Sequence, residues 1–222
     1  LPGHVLLVVD AAYAEYVTVP AAELTAKPAT LDHVHAAAVP LAALTAWQAL
    51  FDNAGLVSAQ TVLIHAAAGG VGHLAVQLAK NAGAKVIATA STRNRDFVLS
   101  LGADQFIDYS QSRFEDQVHD ADVVFHTIAA EHRARSWSVL RKGGWLVAIT
   151  GPVPPEEATT YGANGKFISV RPSGEQLEKI GKLIDAGAVR VTVDKVFPIG
   201  EIAAAHQYVE LGHTRGKVVV TL

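Results

Sequence analysis

Two kinds of hydrophobic pattern follow one another along the chain. Short runs are apolar at nearly every position: TVLIHA from Thr61, KVIATAS from Lys85, QFIDY from Gln105, ADVVFHTI from Ala121 and WLVAIT from Trp145. Between most of them lie segments whose apolar residues recur three or four positions apart, VGHLAVQLAKNAG, NRDFVLSLG and HRARSWSVLRKGG. The runs predict strands and the segments predict helices, two of which should stop at Gly83 and Gly102. Strands apolar on both faces and separated by helices indicate a parallel sheet covered on both sides, so the fold class is α/β.

Outside this region the pattern changes. HVLLVVD and AAYAEYVTVP read as two extended runs, the second closed by Pro20. An Ala-rich helical segment capped by Thr30 or Asp32 follows, is interrupted by Pro40 and ends at Gly55. After Gly151 the periodicity loosens through GPVPPEEATTYGANG, a stretch read without an element. It resumes with strand KFISVRP, helix GEQLEKIGKLIDAG, the extended VTVDKVFPI, helix EIAAAHQYVELG and a last strand KVVVTL.

Composition narrows the function classes. Half of the residues are hydrophobic and 18% are charged, an ordinary globular balance. The formal charge of -3 gives no electrostatic reason to expect nucleic acid or an anionic membrane as partner. No apolar run approaches the roughly 20 residues of a membrane helix. The chain has no Cys, which excludes disulfides, a thiol nucleophile and a Cys-ligated zinc, and a cytoplasmic location is expected. Leu1 opens the chain and no Met occurs in it, so either a longer parent chain or methionines missing from the sequence, for instance as a modified residue, is expected.

The chemistry concentrates where the first strand of the alternating region meets its helix. Ala67, Gly69 and Gly72 stand at A-x-G-x-x-G directly after TVLIH, the context a dinucleotide-binding turn requires. A small first residue allows the tight turn, the second lets backbone approach a pyrophosphate, and the third lets helix and strand pack closely. Unpaired amides and the dipole at the helix start favour the phosphates, and Gly70 and Val71 belong to the same turn. The plainer alternative is a glycine-rich turn without a ligand. A preference for the unphosphorylated ribose would place an acid about 20 residues past the loop. Here the strand ends in Ala90, Ser91 and Thr92, followed by Arg93 and Arg95, and the first acid is Asp96. Arginine gives charge-assisted contacts to a phosphate, so NADP(H) is expected over NAD(H), unless both arginines are merely solvated.

Other chemistries find no motif. There is no H-E-x-x-H and no G-x-S-x-G, and Tyr161 is followed four residues on by Gly165 rather than Lys. A metal is not expected. The carboxylates Glu115 and Asp116, and Glu156 and Glu157, fall in polar turns and read as solvated. His65, at a strand end, reads as a donor orienting the loop.

Taken together, AAYAEYVTVPAAELTAKP, AAAVPLAALTAWQAL, HAAAGGVGHLAVQLAK, LGADQFIDY, VLRKGGWLV and HTRGKVVV resemble the zinc-independent medium-chain dehydrogenases and reductases, in the quinone oxidoreductase and enoyl reductase-like branch. The resemblance implies a Rossmann-type doubly wound parallel sheet with remnants of a GroES-like β-rich catalytic domain. It implies residues 1–30 as a remnant of that domain, 31–187 as the NADP-binding domain and 188–222 as the return to the catalytic domain. Arg95 and Tyr109 would hold the adenosine-side phosphate, with strand-end packing the alternative for Tyr109, and Thr127 would also contact the cofactor. Thr45 would lie beside the nicotinamide, and Arg215 and Lys217 could reach cofactor or substrate, with simple solvation the equal alternative. The implied activity is NADPH-dependent hydride transfer to a quinone or an α,β-unsaturated carbonyl compound, by a homodimer acting on a small molecule. The chain departs from the family pattern at ADVVFHTIAA, where D-x-V-G-G is usual. His126 there is a candidate donor or general acid, or simply a histidine hydrogen-bonded at a strand end. That departure, with so little of the catalytic domain present, keeps a second expectation open: a reductase-derived fold doing non-redox work as a cyclase, isomerase or binding module.

Overall fold

The computed structural model describes residues 5–6 and 13–222. The chain forms two compact units, one of residues 1–45, 69–74 and 170–222, the other of residues 46–68 and 75–169.

The first unit opens with a short antiparallel pair, β1 (Val5–Leu6) and β2 (Thr25–Ala26). The remainder of the expected first strand lies outside the described residues, and residues 13–20, read as the second strand, form bends and irregular backbone. Asp32 caps α1 (His33–Ala37) by accepting from the His35 amide. Pro40 opens α2 (Pro40–Trp47), which runs on into a π-helical turn over Gln48–Asn53.

A single six-stranded parallel sheet dominates the second unit. Its strands are β3 (Thr61–Ile64), β4 (Lys85–Ala90), β5 (Gln105–Asp108), β6 (Ala121–His126), β7 (Leu140–Ala148) and β8 (Asn164–Phe167), in the spatial order β5-β4-β3-β6-β7-β8. Every pairing is parallel, with Val62 opposite both Val86 and Val123 in the central register. Val62, Leu63, Ile64, Val124 and Phe125 are fully buried, as expected of strands covered on both faces. The order reverses between β3 and β6, which makes the carboxyl ends of those two strands the switch point of a doubly wound sheet.

The connecting helices are α3 (Gly72–Asn81), α4 (Arg95–Ser100), α5 (Arg133–Ser138) and α6 (Pro155–Tyr161). Two of them differ from expectation. The segment from His132 stops being helical at Ser138, because Leu140 already pairs with Ala121 and begins β7. PEEATTY is a helix with Pro155 in its first turn and Glu156 and Glu157 at its positive end. It is held to α5 by Arg133, whose fork donates to both oxygens of Glu157 at 2.6 and 2.8 Å, and by the Trp137 indole, which donates to the same carboxylate at 2.8 Å. Glu157, read as solvated, is therefore half of a structural pair.

Back in the first unit, Ser173 caps α7 (Gly174–Asp185), whose Leu177, Ile180 and Ile184 are buried. Asp185 accepts from the amides of Ala29 and Thr30. The parallel pair β9 (Val193–Pro198) and β10 (Lys217–Thr221) encloses α8 (Ile202–Glu210).

Candidate functional site

The turn from β3 into α3 carries the glycines. Ala66 takes a left-handed conformation at φ 46°, and the Ala67 amide donates to the Thr89 carbonyl at 3.0 Å. The Gly69 carbonyl accepts twice from His73, from its backbone amide at 3.1 Å and from ring Nδ1 at 2.9 Å. The other ring nitrogen, Nε2, accepts from the Thr192 amide at 3.3 Å, so Nδ1 must carry the proton and the ring must be neutral. Burial pushes His73 down to about 4, in keeping with that state.

Gly70 is glycine for a steric reason. A Cβ there would lie 2.9 Å from Lys217 Cδ and 3.3 Å from the Gly216 carbonyl. Gly216 has φ 75°, and a Cβ on it would run into the Thr192 carbonyl, so only glycine lets β10 begin here with Lys217 against the turn. Burial alone pushes the Lys217 ammonium below its usual range, with no carboxylate offsetting it. The first unit thus sets a partly desolvated cation against the amide-rich start of a ten-residue helix, the arrangement that attracts an anion.

In the second unit, the carboxyl ends of the central strands surround a cavity of about 400 Å³ lined by His65, Ala66, Thr89, Tyr109, Phe114 and Arg135 among others. The Phe114 ring meets His65 edge-on at 4.7 Å and lies 4.8 Å from the Arg135 guanidinium carbon. Arg135 is fixed by both oxygens of Glu115 at 2.7 Å each. That fork holds Glu115 down to about 2, so this carboxylate, also read as solvated, is a half-buried anchor. Tyr109 is 61% exposed and lines both the cavity and a neighbouring polar depression.

Next to Tyr109 lies the end of β4. Ser91 caps a short turn, accepting from Asn94 Nδ2 at 3.2 Å, and Arg93 and Arg95 are both exposed. The Arg95 guanidinium carbon sits 5.6 Å from the Phe106 ring centroid. An acid does reach this point, from β5 rather than from β4. Asp108 accepts from the Ser110 hydroxyl and amide and from the Thr92 hydroxyl, bonds that hold it below its usual range.

The remaining candidates are turned inward. Thr127 donates its hydroxyl to the His65 carbonyl at 2.6 Å, and Thr45 donates to the Leu41 carbonyl at 2.6 Å within α2. His126 is fully buried, with one ring nitrogen 3.1 Å from Ser136 Oγ and the other 3.3 Å from the Ala129 carbonyl. Both ring nitrogens therefore have partners within the protein. The second unit brings Ala67, Ser91, Tyr109 and Thr127 to the same end of the sheet, and the first unit holds Gly70 against Lys217. Phe114, Arg135 and His132 escaped the sequence reading because they come from short turns and a helix start without periodicity, and Thr89 because nothing in the β4 run marks its hydroxyl as part of a site.

Among the described residues no group of three His, Asp or Glu side chains could hold a metal, and the chain has no Cys. The described residues do not fit a zinc centre. Among the described residues no helix is long and apolar enough to cross a membrane.

Comparison with known proteins agrees with this architecture. The NADPH-dependent alkenal/one oxidoreductase of Arabidopsis thaliana chloroplasts is 39% identical over 211 residues, which cover 93% of this chain and 52% of that protein. The quinone oxidoreductase of Coxiella burnetii superposes with a TM-score of 0.83 at 35% identity, over 90% of this chain and 64% of that one. A mycobacterial protein solved with NADPH gives a TM-score of 0.86 at 27% identity, over 95% and 71%. The chain spans between about half and two thirds of the length of the first curated relatives it matches, 52% to 65%. The family profile described as "Zinc-binding dehydrogenase" matches residues 101–220, more than half of the sequence, and the chain belongs to that family, whose solved relatives share its Rossmann-type sheet.

Proposed function

We propose that this chain is the cofactor-binding part of an NADPH-dependent oxidoreductase that transfers hydride to a quinone or an α,β-unsaturated carbonyl compound. The observation that carries the reading is the turn after β3, where Lys217 lies against Gly70 beside the start of α3. Such a turn fits a pyrophosphate. The cavity at the switch point, with the Phe114 ring and the Arg135 guanidinium in its lining, fits a flat heteroaromatic ring such as adenine. Tyr109, Arg93 and Arg95 are the residues we assign to a ribose 2′-phosphate, and Asp108, whose oxygens are engaged by Thr92 and Ser110, is held in place beside them. The relatives named for NADPH and for alkenal, enone or quinone reduction support the same cofactor and substrate class.

When bound, the nicotinamide supplies the hydride. The residues of this chain hold and orient it. Gly70 and Lys217 receive the phosphates, the Arg135 and Glu115 fork keeps one cavity wall rigid, and the neutral His73 ring fixes the Gly69 carbonyl and so the path of the turn. The test is NADPH consumption by the protein with a quinone and with an enone, each followed by absorbance. Turnover with either supports the reading, and tight NADPH binding without turnover of any such acceptor would move the protein to non-redox work.

A further inference from the structure

Between the sheet and α5 runs a chain of hydrogen bonds that the cofactor reading does not use. Thr89 Oγ1 lies 3.0 Å from His65 Nδ1, His65 Nε2 lies 3.0 Å from Ser136 Oγ, and Ser136 Oγ lies 3.1 Å from His126 Nδ1. His126 Nε2 ends the chain 3.3 Å from the Ala129 carbonyl. All four side chains are buried. A carbonyl only accepts, so His126 must carry its proton on Nε2, and its Nδ1 must accept from the Ser136 hydroxyl. Ser136, having given its one proton, accepts from His65 Nε2, and His65 Nδ1 in turn accepts from the Thr89 hydroxyl. A single direction of donation therefore runs from Thr89 to Ala129. Burial, which pushes His65 to about 3 and His126 to about 4, keeps both rings neutral and this direction intact.

Both ends of the chain belong to the cavity lining, Thr89 at one end and Ala129 at the other, with Ile128 beside it. The loop after β6 has no strand partner beyond Ala148. It is held by Thr127 donating to the His65 carbonyl, by Thr150 donating to the Ile128 carbonyl, and by His126 and the His132 amide donating to the Ala129 carbonyl. We infer that His126 is a positioning residue for the adenosine end of the dinucleotide: its Nε2 proton holds the Ala129 carbonyl, and with it the loop that forms one cavity wall, while Ser136 sets the ring in the tautomer able to do so. The inference rests on the reading of the cavity as the adenosine site, and it assigns affinity to two residues that touch no ligand.

Two substitutions separate the links. In His126→Asn the side-chain oxygen can still accept from Ser136, but the amide is too short to reach the Ala129 carbonyl. His126→Gln reverses this, reaching Ala129 and losing Ser136. A merely structural histidine would make the two variants alike. Calorimetric titration with adenosine 2′,5′-bisphosphate should show His126→Gln within about twofold of the unmodified protein and His126→Asn about tenfold weaker, the scale of one hydrogen bond. Equal affinities, or a loss confined to His126→Gln, would overturn the inference while leaving the cofactor reading intact. If the unmodified protein binds neither the bisphosphate nor NADPH, the reading and the inference fall together. Should His126→Asn not fold, NMR of the ring nitrogens in the unmodified protein still decides. His65 and His126 must be Nε2–H tautomers while His73 is Nδ1–H, and an Nδ1–H His126 would overturn the inference.

Discussion

Three neutral histidines make this protein sensitive to mild acid. Burial holds His65 at about 3 and His73 and His126 at about 4, below the ordinary 6.5 that each regains on unfolding. Because their native values are depressed, their contribution to stability is complete above about pH 6.5 and is lost as pH falls toward 4. Each costs ~1.4 kcal/mol per pH unit once the unfolded ring is protonated and the native one is not. Allowing for partial protonation near 6.5, the three together remove about 3 to 4 kcal/mol between about pH 6 and pH 5. That is a large part of the 5–15 kcal/mol, roughly, of an ordinary domain. The stabilised carboxylates, Glu115 and Glu157 among them, act in the same direction but only as pH falls below their ordinary values near 4.5, so the higher window isolates the histidines. Urea unfolding followed by both circular dichroism and tryptophan fluorescence at the two pH values measures the loss, and His126→Gln should reduce it by about a third. A fall of less than about 1 kcal/mol, or one that His126→Gln leaves unchanged, would refute the assignment of these rings as buried and neutral.

Two further outcomes follow from the same structure. Gly70→Ala places a methyl group 2.9 Å from Lys217 Cδ and must push the lysine aside, so calorimetry should find NADPH affinity about tenfold weaker with the thermal midpoint little changed. Among the described residues the β8 edge has a neighbour only on its β7 side, and Phe167 is exposed on it. Pairing of two copies along that edge is the contact we propose for a homodimer, and Phe167→Glu should shift light scattering in solution from dimer to monomer.

Much of the sheet was legible in the sequence because parallel strands buried on both faces leave continuous apolar runs that few other structures produce. TVLIHA, KVIATAS and QFIDY became β3, β4 and β5 with ends within a residue or two. The glycine turn was legible for a related reason: close approach demands glycine whatever the surroundings. PEEATTY was missed because Pro, Glu and Thr are also turn formers, and its helix depends on tertiary anchors, Arg133 and Trp137, that no local pattern announces. The two Arg–Glu forks were hidden likewise, since a charge in a polar segment looks solvated until its partner is known. His65 and His126 are 61 residues apart and meet only because β3 and β6 are neighbours at the switch point, so their shared partner Ser136 required the three-dimensional arrangement.

The most direct measurement is calorimetric titration of the protein with NADPH and with NADH, repeated on a variant carrying Arg93→Ala and Arg95→Ala. NADPH binding at least about tenfold tighter than NADH, with the preference lost in the variant, is the expected result. Absence of binding to either nucleotide would show that the turn under Lys217 is architecture alone and would contradict the proposed function.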